Sequence, residues 1–130
     1  MTSLPLHFKS LIEVGQMIRQ DQLTSVEITE HMLDLITAVD GQFNSYIHVC
    51  RERAMKQAHA ADIEVASGIY KGALHGVPIA VKDLCFTTYA PTRAGTTVHK
   101  SFMAPHNATV VDRLETSGAV TLGKLSMTEG

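Results

Sequence analysis

Lys82 is the residue of this sequence best placed to do chemistry. It closes the run Val77-Pro78-Ile79-Ala80-Val81-Lys82, a short apolar stretch bounded by Gly76 and Asp83. Apolar toward both faces, the run reads as an interior strand covered on each side. Sheets of the α/β class place their functional residues at the carboxyl ends of strands. By strand alternation Lys82 shares a face with Pro78 and Ala80, whereas Asp83 points with Val77, Ile79 and Val81 to the other. Asp83 is therefore not its automatic ion-pair partner. Small neighbours leave room around the amine, and a lysine desolvated in such a place can serve as a base near neutral pH. The competing reading is a strand-end lysine that snorkels to water.

Other patterns carry less. Gly118-Ala119-Val120-Thr121-Leu122-Gly123-Lys124 has the GxxxxGK spacing of a phosphate-binding loop. The next position must be Ser or Thr to hold magnesium, and it is Leu125. The intervening residues are also strand-like, whereas a phosphate loop exposes its backbone N–H groups, so this reading is rejected. Asn107-Ala108-Thr109 is a chance glycosylation sequon in a chain without a secretion signal. Cys50 and Cys85 stand apart without a CxxC pair and read as two buried free thiols. Seven histidines form no HExxH or HxH arrangement and read as surface or satisfied residues. No metal and no cofactor is called for.

The elements that must position Lys82 come from a chain of 130 residues, 45% hydrophobic and 18% charged, which excludes a disordered polar tail. No apolar run approaches the roughly 18 residues of a membrane span. The N-terminus lacks the basic start and apolar stretch of a signal peptide. With 11 Lys+Arg against 13 Asp+Glu and neither sign clustered, a nucleic-acid surface is not expected. The chain reads as soluble, globular and cytoplasmic.

Ser10 with Glu13, and Thr24 with Glu27, are capping boxes that open two helices. The first carries Leu11, Val14 and Ile18 and ends near Gln20. The second carries Ile28, Met32, Leu35, Ile36 and Val39 on one stripe and ends at Asp40-Gly41. A third spans about 51–67, with Ala54, Ala58, Ala61 and Val65 implying close approach to a neighbour. After the strand at 77–82 comes a turn-rich stretch over 87–107. A helix at 109–117 follows, capped by Gly118, and then a second strand at 119–122. Strand, helical crossover and strand form a βαβ unit, so the fold class is α/β. Two strands cannot make a sheet covered on both faces. The sequence therefore reads as the first part of a larger domain.

Three ordered blocks resemble the amidase signature family. Gly72-Ala-Leu-His75-Gly76-Val-Pro78-Ile-Ala-Val-Lys82-Asp83 is similar to its G-x-L-x-G-[VI]-P-x-x-[VI]-K-D segment. Pro91-Thr92-Arg93-Ala94-Gly95-Thr96 resembles its T-x-A-G-[ST] loop. The stretch from Ala108 to Lys124 resembles its A-x-x-V-x-x-L-x-x-x-G-A-[VI]-x-x-G-K block. The resemblance covers nearly the whole chain. It implies a mixed sheet with helices on both faces, of which residues 1–130 are the N-terminal portion of a single domain. It implies a hydrolase of small amides, esters or carbamates working through a Ser–cis-Ser–Lys triad, with Lys82 as the catalytic lysine and no cofactor. The bridging serine would pass its proton to Lys82 and activate the nucleophilic serine. Both serines follow the Gly123-Lys124 block in the family, beyond position 130, and neither Ser101 nor Ser126 matches them. The isolated chain is therefore expected to be inactive and poorly soluble, needing the remainder of the domain. A homodimer is allowed; no nucleic acid or membrane partner is expected. Gly130 stands after Thr128-Glu129 where many members carry an aromatic residue, a departure leaning toward the broad-specificity amidases. The alternatives are the catalytic subunit of a tRNA-dependent amidotransferase and a non-catalytic interaction module.

Overall fold

Both capping boxes form. In the computed structural model, which describes residues 4–127, Ser10 and Thr24 accept from the backbone N–H groups of Glu13 and Glu27. The two glutamates reach back to the N–H groups of Ser10 and Thr24. Each box satisfies donors that the first turn would otherwise leave open. The helices they start are α1 (Leu11–Arg19) and α2 (Ser25–Phe43). Asp62 adds a second clamp on α2, accepting from the backbone N–H groups of Ser25 at 2.7 Å and Val26 at 3.0 Å. A carboxylate there also complements the positive end of the helix dipole.

The second helix does not stop at Asp40-Gly41. It runs to Phe43 and is capped by Asn44 in the left-handed conformation (φ 52°). The Asp40 carboxylate instead accepts from the N–H groups of Ser45 and Tyr46. It thus organises the turn that leads into a strand, β1 (Tyr46–Val49), which the sequence does not announce. Asp40 is a turn signal read correctly in kind but placed four residues early. Next come α3 (Arg51–Ala66), β2 (Pro78–Lys82), α4 (Thr109–Thr116) and β3 (Val120–Leu125). The Gly118 turn closing α4 has φ +84°, the backbone conformation that glycine adopts without strain.

The sheet is mixed, in the order β1-β3-β2. The β2 and β3 strands are parallel, joined across α4 as a βαβ unit requires. The β1 strand pairs antiparallel on the far side of β3. The architecture is α/β as expected, but only β3 is interior among the described residues. The β2 strand lies at an edge and is mostly half-buried. Helices α2 and α3 bring Leu33, Ala54 and Ala58 against Val120 and Leu122, with Tyr46 beside them. The alanines allow the close approach their spacing implied. A second cluster joins Val14, Ile18, Leu23 and Ile28 to Val77. Residues 128–130, whose lack of an aromatic leaned toward one branch of the resemblance, lie outside the described residues.

Two irregularities shape the middle of the sheet. Thr121 faces Ile79 and Lys124 faces Val81, so Leu122 and Gly123 together stand against Ala80 alone. On the other side, Tyr46 faces Leu125 and His48 faces Lys124, leaving Ile47 as the extra residue in β1. These are β-bulges, which break alternation and re-aim side chains. A Cβ on Gly123 would overlap the carbonyl oxygen of His48. Glycine is what lets β1 come this close.

Two glycines therefore differ sharply. Gly123→Ala is expected to lower stability by about 1–3 kcal/mol, the usual cost of forcing atoms into a filled space. Gly41 lies within α2, and a Cβ added there would meet no atom within 4 Å. Gly41→Ala is expected to raise stability by about 0.5–1 kcal/mol by removing backbone freedom from the unfolded chain. Thermal melts of the two variants check the opposite signs.

Candidate active site

Lys82 is the last residue of β2, half-buried, in register with Leu125. Leu125 is in turn in register with Tyr46, which packs on the α2 and α3 side of the sheet. In-register neighbours project to the same face, so Lys82 projects to that side. Its carbonyl accepts from the Cys85 N–H at 3.0 Å, but among the described residues its amine has no ion-pair or hydrogen-bond partner. The sequence reading that Asp83 points elsewhere holds, and the structure supplies the reason.

Asp83 is 1% exposed and belongs to a second lysine. Its Oδ1 lies 3.3 Å from Nζ of Lys124, which is itself completely buried. The approach is a charge pair rather than an aligned hydrogen bond. The ammonium spends its hydrogen bonds on the loop above it: Oγ1 of Thr87 at 3.2 Å, Oγ1 of Thr92 at 3.1 Å and the Pro91 carbonyl at 3.4 Å. The bulge explains how Lys124 gets there. Strict alternation would put it with Val120 and Leu122 against the helices. The extra residue turns it to the opposite face, onto the turn-rich segment.

Asp83 also shapes that segment. Its Oδ2 accepts from the Arg93 N–H at 3.1 Å, and its carbonyl accepts from the Ala94 N–H at 3.1 Å. Ala94 has φ 50° and Gly95 φ 74°. A left-handed alanine costs roughly 1 kcal/mol or more, so the two bonds to Asp83 hold a strained turn directly beside the strand end. Asp83 N–H donates to the Leu125 carbonyl at 2.9 Å, extending the parallel ladder one residue past Lys82. A cavity of about 190 Å³ opens here, lined by Asp83, Arg93, Thr96 and Ser126 with Ile47 and Met127 among its other walls. Ser126 is held by its hydroxyl to the Asn44 carbonyl at 2.8 Å.

Lys124 and Asp83 were missed as a pair. The available signal was Gly123-Lys124 inside an apolar strand: a glycine where side chains should pack, followed by a charge that must find a partner.

The remaining candidates are quieter. His75 is fully buried; its Nδ1 accepts from the Lys71 N–H at 3.1 Å, and its Nε2 lies 3.5 Å from Glu64. A Cβ on Gly118 would overlap its ring, so His75 is a packing residue of the βαβ corner. Cys50 is buried and Cys85 half-buried; both are free. Burial pushes the Cys50 thiol up, against the opposing pull of Arg53 and Lys124, so it stays protonated and is a poor nucleophile. Near it, the Arg53 guanidinium stacks 3.7 Å from the ring centre of Tyr89 and pairs with Glu115 at 2.7 Å.

The family model for amidases matches residues 27–130. The putative amidase AmiD of Mycobacterium tuberculosis is 54% identical over 120 residues, which cover 92% of this chain and 25% of that protein. A glutamyl-tRNA(Gln) amidotransferase subunit of Anaeromyxobacter dehalogenans is 43% identical over 119 residues, covering 92% and 24%. Among solved structures, the native peptide amidase of Stenotrophomonas maltophilia superposes with a TM-score of 0.89 at 30% identity, covering 96% of this chain and 26% of that one. The chain spans about a quarter of the length of these relatives.

Burial of Tyr89 gives a pH signature. Desolvation pushes its phenol from the ordinary value of 10.0 up to about 12, opposed by Arg53. The folded chain then holds the phenolic proton more tightly than the unfolded one. This contribution to stability is complete below about pH 10 and is lost as pH rises through about 12. Tyr46 is pushed upward too, by burial and then by Asp40. Tyr89→Phe is therefore expected to flatten part of the alkaline loss of stability, measured by denaturant melts from pH 8 to 12.

Proposed function

The chain belongs to the amidase family, and from that membership we propose that the protein it comes from hydrolyses the C–N bond of small amides, with Lys82 as its base. One observation carries the assignment of Lys82. Of the two lysines at the carboxyl ends of the parallel strands, Lys124 is sealed in a charge pair and Lys82 is half-buried, its amine without a partner among the described residues. Lys124 is committed to Asp83 and the loop, whereas the Lys82 amine is engaged by no described side chain and is left to meet groups supplied by the rest of the domain.

The reaction runs through two serines, neither of them in residues 1–130. The neutral amine of Lys82 takes the proton of a bridging serine, which takes the proton of a nucleophilic serine. The nucleophilic oxygen attacks the amide carbonyl, and the tetrahedral adduct expels the amine, which leaves with a proton returned through the relay. Water attacks the resulting ester by the same route, releasing the acid and restoring the nucleophilic hydroxyl. Esters and carbamates share the acyl chemistry and fall within the same scope. Residues 1–130 hold one member of the triad, so the isolated chain is inactive. The site is reached from the cytoplasm, and the rest of the amidase domain is the first partner of this chain.

The amidotransferase reading is second. It draws on the 43% identity to a glutamyl-tRNA(Gln) amidotransferase subunit, against 54% to AmiD. Co-purification of further subunits with the whole protein would favour it.

The test uses the whole protein and a small aryl amide. Lys82→Ala is expected to lower kcat/KM by at least about 10²–10⁴-fold, the usual contribution of a general base. Lys82→Arg is expected to recover little, because a guanidinium does not deprotonate at working pH. Melting temperatures should barely move. Near-wild-type turnover in Lys82→Arg, or a loss in Lys82→Ala that follows unfolding alone, would return Lys82 to a snorkelling surface residue.

A further inference from the structure

We propose that Lys124 is a positioning residue for Lys82, acting through Asp83 and the loop at residues 85–96. The inference rests on the reading of Lys82 as the proton acceptor. It starts from a difference in cost. A completely buried ammonium and a carboxylate 1% exposed are expensive to take out of water. Replacing a buried ion pair by apolar residues of similar size is often neutral or stabilising. What the pair supplies beyond stability is direction.

Asp83 follows Lys82 immediately, and every polar group it has is engaged. Its N–H is held by Leu125, its carbonyl by Ala94, one carboxylate oxygen by the Arg93 N–H and the other by Lys124. The peptide carrying Lys82 is thus fixed on its C-terminal side by β3 and by a strained turn at once. Lys124 locks that turn from beneath. Thr92 uses its hydroxyl proton on the Cys85 carbonyl and offers its lone pairs to the ammonium. Thr87 does the same with the Ala90 carbonyl. One buried cation therefore closes both ends of the loop that leaves the strand after Lys82. The Lys82 amine has no partner of its own among the described residues to set its direction. Its aim then depends on the backbone at residues 82 and 83.

The geometry separates this role from plain stability. Lys124→Met keeps the length of the side chain but leaves the Asp83 carboxylate buried without its countercharge. Lys124→Met with Asp83→Asn removes both charges. The asparagine still accepts from the Arg93 N–H, but the loop loses its three bonds to the ammonium. The whole protein is assayed on a small aryl amide, with thermal melts, for Lys82→Ala, Lys124→Met, Thr92→Val and the double variant. Lys124→Met is expected to lose both melting temperature and kcat. The double variant is expected to regain melting temperature while kcat stays about 10- to 100-fold low and KM changes less than about twofold, the mark of a misplaced catalytic group. Thr92→Val keeps the charge pair and is expected to lower kcat in the same sense with KM unchanged. It provides the readout if the double variant does not fold. Recovery of kcat together with melting temperature in the double variant, or unchanged kcat in Thr92→Val, overturns the positioning role. If Lys82→Ala itself keeps its turnover, the assignment of Lys82 fails, and this inference falls with it. Loss of activity in Lys82→Ala with full kcat in the double variant sinks the inference alone.

Discussion

A lysine ammonium with no access to water sets the terms for the rest of this structure. Taken alone, a buried cation costs several kcal/mol, so Lys124 is tolerated only where ligands converge on it. Asp83, Thr87, Pro91 and Thr92 converge. They come from the end of one strand and from a loop whose turns no helix or ladder fixes. The turn-rich segment is ordered around a charge instead of around a hydrophobic centre. That explains how a stretch with so little regular structure comes to rest against the sheet.

The sheet makes this possible by breaking its own period twice. The extra residue in β3 turns Lys124 away from the helices; the extra residue in β1 lets that strand follow the bend. Gly123 lies in the β3 bulge and faces Val49, next to the β1 bulge, where the His48 carbonyl leaves no room for a side chain. A regular β3 would drive the ammonium into Leu33, Ala54 and Ala58, where nothing could solvate it. Lys82 lies on the strand next to this irregularity and keeps the face that alternation assigns to it. The two lysines consequently end on opposite faces of the sheet, one sealed and one open.

The sequence made the helices legible because their signals are local. The Ser10 and Thr24 boxes, the alanine face of α3 and the Gly118 turn each need only a few neighbouring residues, and all appear where expected. So does the strand end that carries Lys82, since an apolar run between glycine and aspartate is unambiguous. The β1 strand escaped because its four residues are mostly exposed and carry no alternation; its pairing partner lies at the far end of the chain. The end of α2 was placed early because Asp40-Gly41 is a turn signal, and only the structure shows Asp40 serving a turn that begins beyond Asn44. The Lys124–Asp83 pair was hidden for a deeper reason. Alternation is the rule by which a sequence assigns faces to a strand, and a bulge is invisible to it. Alternation could put Asp83 on the face away from Lys82, but it could not give Asp83 to Lys124.

The pairing of β1 carries a consequence for how the chain comes into being. Ser126 reaches back across 82 residues to bond Asn44, and β1 has no other strand to join among the described residues. During synthesis the first helices and β1 emerge long before β3. Until then the Leu33, Ala54 and Ala58 surface has no sheet to cover it, and the strand's hydrogen-bonding groups face solvent. Contacts this distant in sequence delay folding, because the loop must close before the contact can reward it. The apolar face of α2 and α3 therefore waits for its cover until the residues between β1 and β3 have been made.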